Sequence, residues 1–127
     1  MIIRKVQTSN APEPIGPYSQ AIETNGFIFT SGQISINPST GQLVEGDVTD
    51  QTRLVLDNIS AVLTAAGSGM DQVVKTTIFL SNMDDFPVVN KVYAGYFNQT
   101  PPARSTVEVS RLPKNVLIEI DCIAIKK

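Results

Sequence analysis

Two adjacent stretches decide the fold: Asp47-Val-Thr-Asp-Gln-Thr-Arg-Leu-Val-Leu-Asp-Asn-Ile-Ser-Ala-Val-Leu-Thr-Ala-Ala-Gly67 and, after a short break, Val73-Val-Lys-Thr-Thr-Ile-Phe-Leu80. In the first, Val48, Thr52, Val55, Leu56, Ile59, Val62, Leu63 and Ala66 recur at spacings of three and four, the single stripe of an amphipathic helix. Asp47 or Thr49 can cap its start, and Gly67 can end it in a left-handed conformation. The second stretch is rich in β-branched residues and reads as a strand.

Working outward, a second helix is expected over about Asp84–Phe97. Phe86, Val89, Tyr93 and Tyr96/Phe97 form its stripe, and Pro87 is tolerated in its first turn. Pro101-Pro102 stops it and leads into a strand at Ala103–Ser110, which the Arg111–Asn115 turn is expected to pair with a last strand, Val116–Ile125. Upstream, Ile2–Val6 suits a short strand, and Pro12, Pro14 and Pro17 imply an ordered loop over residues 9–17. Asn25-Gly26 signals a tight hairpin between Ser19–Thr24 and Phe27–Ile36, because both residues tolerate positive φ. The turn Asn37–Gly41 leads to a short strand near Gln42–Glu45. The order is β-β-β-β-α-β-α-β-β, an α+β class with a mixed sheet, both helices on one face, and one domain over residues 1–127.

Composition narrows the chemistry. The 127 residues include no His, no Trp and one Cys. Without histidine there is no Ser-His-Asp or Cys-His nucleophile, no HExxH zinc site and no His relay. One Cys cannot form an internal disulfide or a CxxC pair, so no metal site is expected. A net charge of −2 argues against a nucleic-acid-binding protein. Met1–Lys5 lacks the apolar core of a signal peptide, and no apolar run spans a membrane, so a soluble, cytoplasmic protein is expected. The charged fraction, 17%, is below the roughly 25% usual for soluble domains. Two helices cannot cover both faces of the sheet, so copies of the chain are expected to pack on the other, where Thr106, Glu108, Glu119 and Asp121 should lie.

Several residues could carry chemistry. Strand alternation groups Arg104, Thr106 and Glu108 against Ser105, Val107 and Val109. The apolar set should meet the helices, so Arg104 is expected to point away from them, either gripping a carboxylate through two parallel bonds or serving as a surface ion-pair residue. In the last strand Val116, Ile118, Ile120, Cys122 and Ala124 alternate with Leu117, Glu119, Asp121, Ile123 and Ile125. A half-buried Glu119 suits proton transfer, and the alternative is a pair of rim carboxylates or partners for Lys and Arg. Cys122 follows the core face as a small hydrophobe. Tyr18, after a rigid Gly-Pro turn, either caps a pocket or packs. Gly32 interrupts a strand, which marks a bulge or the close approach of a ligand to backbone, and Ser31-Gly32 could present backbone groups to a small acid. Asn90, on the second helix's stripe, either satisfies backbone groups or contacts a ligand.

Taken in order, Ile15-Gly-Pro-Tyr18, Thr30-Ser-Gly-Gln33, Asp57-Asn58, Val89-Asn-Lys-Val-Tyr93, Pro102-Ala-Arg-Ser105, Val107-Glu-Val109, Arg111-Leu-Pro-Lys114 and Ile118-Glu-Ile120 resemble the reactive intermediate/imine deaminase (RidA) family, also called YjgF/YER057c/UK114. The resemblance implies a chorismate-mutase-like fold assembled as a homotrimer with clefts between subunits. It implies cofactor-free hydrolysis of 2-imino acids and their enamine tautomers, such as 2-aminoacrylate, to 2-oxo acids and ammonia. These are the 2-iminobutanoate and 2-iminopropanoate released by pyridoxal-phosphate enzymes. By the same resemblance Arg104 binds the substrate carboxylate, Glu119 is the acid beside the attacking water, and Tyr18, Ser31, Gly32 and Asn90 line the pocket. Thr106 stands where many members carry Cys; similar in bulk and already polar, it keeps a role carried by backbone groups. Two other readings are weighed: a 2-oxo-acid-binding regulatory trimer without turnover, and the ribonuclease or translation inhibitor attached to some relatives.

Overall fold

A computed structural model describes residues 2–127. Six strands form one sheet: β1 (Arg4–Val6), β2 (Ala21–Thr24), β3 (Phe27–Thr30), β4 (Val73–Leu80), β5 (Ala103–Glu108) and β6 (Ile118–Ile125), in the order β1-β2-β3-β6-β4-β5. β4 and β5 are parallel and the other neighbours antiparallel, so the sheet is mixed as expected.

The hairpin between β2 and β3 turns on Asn25 (φ 54°) and Gly26 (φ 81°), the left-handed pair that fits the strand twist. α1 spans Val48–Ala65, and the Asp47 side chain caps it by accepting from the Asp50 N–H. Gly67, at φ 79°, carries the chain away from its C-terminal end. α2 (Phe86–Ala94) is shorter than its apolar spacing suggests. A single 3₁₀ turn over Met83–Asp85 precedes Pro87, and Gly95 caps the other end, so Tyr96 and Phe97 pack from outside the helix.

Both helices lie on one sheet face. Ile28, Leu56, Ile59, Leu63, Ile78, Leu80, Ile118 and Ile120 are the largest fully buried side chains there. Each contributes about 1.5–3 kcal/mol on burial. The expected α1 stripe is buried from Val48 to Ala66.

Four expectations are corrected. The strand near Gln42–Glu45 is a single bridge between Ile36 and Leu43, because side chains take up its backbone groups: the Gln42 N–H donates to Thr40 Oγ1 at 3.1 Å and the Ser35 hydroxyl donates to the Val44 carbonyl at 3.0 Å. The strand beginning at Phe27 ends at Thr30, not Ile36, and only Gln33 rejoins the ladder, opposite Ile120. β6 does not pair with β5: it inserts between β3 and β4. Its Ile118, Ile120 and Cys122 need coverage by α1, which only the centre of the sheet offers, whereas a parallel β4–β5 pair needs a crossover, and α2 supplies it.

Last, β5 is turned over relative to the apolar expectation. Thr76, buried on the helix side, is paired with both Arg104 and Cys122, so Arg104, Thr106 and Glu108 face the helices. Phe79 is paired with both Val107 and Glu119 on the open face, where Val107 is 43% exposed. Thr106 and Glu108 therefore do not share a face with Glu119 and Asp121. β5 is an edge strand, so little apolar surface compels its phase, and Arg104 and Glu108 find partners on α2 and the turn before it.

Candidate active site in two halves

One half lies on the open face. The Pro-rich loop before β2 closes over the end of β3 to form a cleft of about 340 Å³. Ile15, Tyr18, Ser31, Gly32, Ile34 and Glu119 line it. Gln20, 2% exposed, holds the loop in place: its amide NH₂ donates to the carbonyls of Thr8, Ala11 and Pro12, and its Oε1 accepts from the Thr8 N–H. The Ser31 hydroxyl donates to the Ser19 carbonyl at 2.6 Å, joining the loop to β3. Tyr18 is half exposed at the rim, and its hydroxyl accepts from the Ile15 N–H at 3.3 Å.

What comes close to Gly32 is a side chain of the chain itself. A Cβ there would overlap Oε2 of Glu119 and lie 2.8 Å from its carboxyl carbon. The missing side chain is what lets the Glu119 carboxyl lie against the backbone of the loop. Glu119 accepts no hydrogen bond among the described residues. Burial pushes its pKa above the ordinary range, and the Asp121 carboxylate on the same strand face adds to the shift. Asp121 is raised by burial as well, against the opposing pull of Lys75 and Thr77.

The other half lies across the sheet, between β5 and α2. Arg104 Nη1 donates to Asn90 Oδ1 at 2.9 Å, and the guanidinium carbon lies 4.9 Å from the Tyr93 ring centroid and 5.2 Å from that of Phe86. Asn90, Tyr93, Ala94, Phe97, Pro102 and Arg104 border a shallow groove here. Asn90 therefore meets Arg104 and satisfies no backbone group, because it is only half buried at a helix flank that faces β5. The Thr106 hydroxyl oxygen is buried two residues on, without a hydrogen-bond partner.

The structure thus brings Tyr18, Ser31, Gly32 and Glu119 together, and separately Asn90 and Arg104 with Thr106 nearby. It does not bring the two sets together, since they occupy opposite faces of the sheet. Three contributors escape sequence reasoning. Gln20 looked like an ordinary strand residue, and nothing in its spacing marks four bonds to a loop. Phe86 and Tyr93 read as core stripe, which Tyr93 is, but their rings also face Arg104. Cys122 is 3% exposed, and burial raises its thiol pKa to about 12, so it is the small hydrophobe expected. Among the described residues, no cluster of three or more Asp, Glu, Cys or His could hold a metal ion, and no helix is long and apolar enough to cross a membrane.

Comparison with known proteins follows the same outline. A family described as Endoribonuclease L-PSP matches residues 8–126. A RutC family protein of Pyrococcus horikoshii is 58% identical over 120 residues, covering 94% of this chain and 95% of that protein. The 2-iminobutanoate/2-iminopropanoate deaminase of Escherichia coli K12 is 48% identical over 127 residues, covering 98% of each. Among solved structures, YyfA of Yersinia pestis, described as a Rid family protein of unknown function, superposes with a TM-score of 0.95 at 57% identity, covering 98% of this chain and 99% of that one. E. coli TdcF with bound serine superposes at 0.93 and 42% identity, with coverage of 98% and 99%. Matched along nearly its whole length in both sequence and fold, the chain belongs to the Endoribonuclease L-PSP, or YjgF/RidA, family.

Proposed function

We propose that this chain is a cofactor-independent 2-iminobutanoate/2-iminopropanoate deaminase, a single RidA-like domain working in clefts between the subunits of a cytoplasmic homotrimer. The observation that carries the reading is the pair of uncommitted groups: Arg104 has no carboxylate partner among the described residues, and Glu119 is a desolvated carboxyl without a hydrogen bond. Because they occupy opposite sheet faces, a substrate reaches both only where the Arg104 edge of one copy meets the open face of another. The apolar groups on that face, Phe27, Phe29, Val107 and Ile125, each 38–43% exposed, support such packing. The deaminase name of the E. coli relative supports the chemistry.

In this mechanism Arg104 grips the carboxylate of the imino acid, and catalysis comes largely from positioning. The imine carbon is already electrophilic. Glu119, as carboxylate, accepts a proton from the attacking water as the C–O bond forms. It returns that proton to the imine nitrogen, giving the carbinolamine, and then carries the carbinolamine hydroxyl proton to the same nitrogen as the C–N bond breaks, giving the 2-oxo acid and ammonia. Burial raises the Glu119 carboxyl above the ordinary carboxylate range, so it holds a proton more readily than a solvated carboxylate does. Backbone groups around Ser31 and Gly32, and at Thr106, orient water and substrate.

The test generates imine from serine or threonine with a dehydratase, or with an amino-acid oxidase, and follows its decay. No acceleration over buffer by the wild type ends this reading. Arg104→Ala is expected to lower kcat/KM at least ~100-fold; a full rate would remove Arg104 from the site. A 2-oxo-acid-binding regulatory trimer is the second reading, favoured by the serine bound to TdcF. Glu119→Gln separates the two, since it should cost turnover and spare binding. Ribonuclease activity, named in the family's description, is the weakest reading for a chain of net charge −2 without histidine.

A further inference from the structure

An anion site needs a positive charge that is not already spent, and the hydrogen-bond and ring partners of the Arg104 guanidinium are neutral. Asn90 accepts from Nη1, and the rings of Phe86 and Tyr93 lie about 5 Å from the guanidinium carbon. The one acid of its own strand, Glu108, is occupied: its Oε1 accepts from the Met83 N–H at 2.8 Å. A guanidinium has only donors, so the Asn90 amide must turn its oxygen to Arg104 and its NH₂ away, free to donate to a bound anion. Tyr93 is fixed in turn. Its hydroxyl shares a buried 2.7 Å bond with Thr76, and Thr76 is the register partner of Arg104 on β4.

We infer that Phe86, Asn90 and Tyr93 form a charge-neutral cradle that orients Arg104 while leaving its whole charge to the substrate. They are positioning residues, and the specific requirement at position 90 is neutrality. An Asp there would hold the guanidinium at least as firmly, through charge-assisted and possible two-point bonding, but a substrate carboxylate would then have to displace it. The flat guanidinium can rest against ring faces without losing charge, which a lysine ammonium does less well. This inference deepens the proposed function and rests on its reading of the ligand as a 2-imino or 2-oxo acid.

The test measures pyruvate binding by calorimetry, imine-hydrolysis KM and kcat, and thermal melting, on the wild type and four variants. Asn90→Asp is expected to weaken pyruvate binding and raise KM by ~30-fold or more, with kcat within ~3-fold and no loss of melting temperature. Asn90→Ala, which loosens Arg104 without neutralising it, should cost ~5-fold. Phe86→Leu should raise KM ~5-fold, and Phe86→Tyr, which restores a ring, should not. A purely structural role would lower melting temperature without separating Asp from Ala at position 90. Wild-type affinity in Asn90→Asp, or equal losses in the two Asn90 variants, overturns the cradle. If Asn90→Asp does not fold, equal KM values for the two Phe86 variants overturn it instead. A wild type that binds pyruvate but hydrolyses no imine refutes the deaminase reading and leaves the cradle decided by binding; one that does neither refutes both.

Discussion

Glu119 and Asp121 put ionisable groups on a strand whose neighbours are apolar, and both carboxyls are raised by burial. A folded-state pKa above its unfolded value gives stability that is fully present below the unfolded pKa and is lost as pH rises through the folded one. The wild type is therefore expected to lose stability above the ordinary carboxylate range, and Glu119→Gln to melt higher than wild type at pH 7, with the gap closing near pH 3. A constant gap across that range would mean that ionisation of Glu119 costs the fold nothing. Asp121→Asn removes the like charge and should move the acid limb of kcat/KM to lower pH. Gly32 gives the complementary experiment. Gly32→Ala meets only the movable end of Glu119, so it should leave the melting temperature within a degree or two, a change of under ~1 kcal/mol. It should nevertheless lower kcat ~10-fold or more, by pushing the carboxyl off its seat. Large unfolding without a kcat effect would show that the glycine serves the backbone and not the acid.

Elements carry these residues into place, and they differ in how firmly. α1 is capped at Asp47, buried along its whole stripe, and tied to neighbouring segments by buried amides. Gln51 accepts from the Leu117 N–H, and Asn58 donates to the Ile36 carbonyl. Asp47→Ala should cost about 1 kcal/mol, read as a lower denaturant midpoint with unchanged slope. α2 is only nine residues long, and its outer end is held by Tyr96, whose hydroxyl donates to Asp57 Oδ1 on α1 at 2.8 Å. Burial, and after it that bond, raise the tyrosine pKa to about 12, so it stays protonated in its place at any physiological pH. Since α2 presents Asn90 and two rings to Arg104, the contact between the helices reaches one half of the site. Element identity was legible because the period of α1 and the β-branched run of β4 are strong local signals. Strand partners were not: the turn after Ser110 suggested a β5–β6 hairpin, and only the competition among strands for coverage by α1 placed β6 in the centre.

On the scale of the whole molecule, the helices satisfy one sheet face and leave the other half covered. Phe27, Phe29, Val107 and Ile125 stand exposed there around Lys75, Thr77 and Asp121. The proposed trimer would cover these groups and close the two half-sites together. Ile123→Glu, on the same face, is expected to convert a species that sediments as three chains into one that sediments as a single chain, with far-UV dichroism retained and deaminase activity lost. A wild type that sediments as one chain would sink the assembly, and with it the shared cleft. The low charged fraction is consistent with such packing.

The helices, the central strands, the hairpin turn and the core-facing residues of β6 are legible in the sequence, because each depends on a short-range period or a backbone conformation that few residues tolerate. Its missing histidine also leaves acid–base and anion chemistry to Arg, Lys, carboxylates, Tyr, hydroxyls and backbone groups. The slot of β6, the phase of β5 and therefore the side to which Arg104 points were settled only by tertiary packing. An edge strand gains little from either phase, so the choice falls to partners distant in sequence, and it was the ring of Tyr93 and the amide of Asn90 that turned Arg104 toward the helices and away from Glu119.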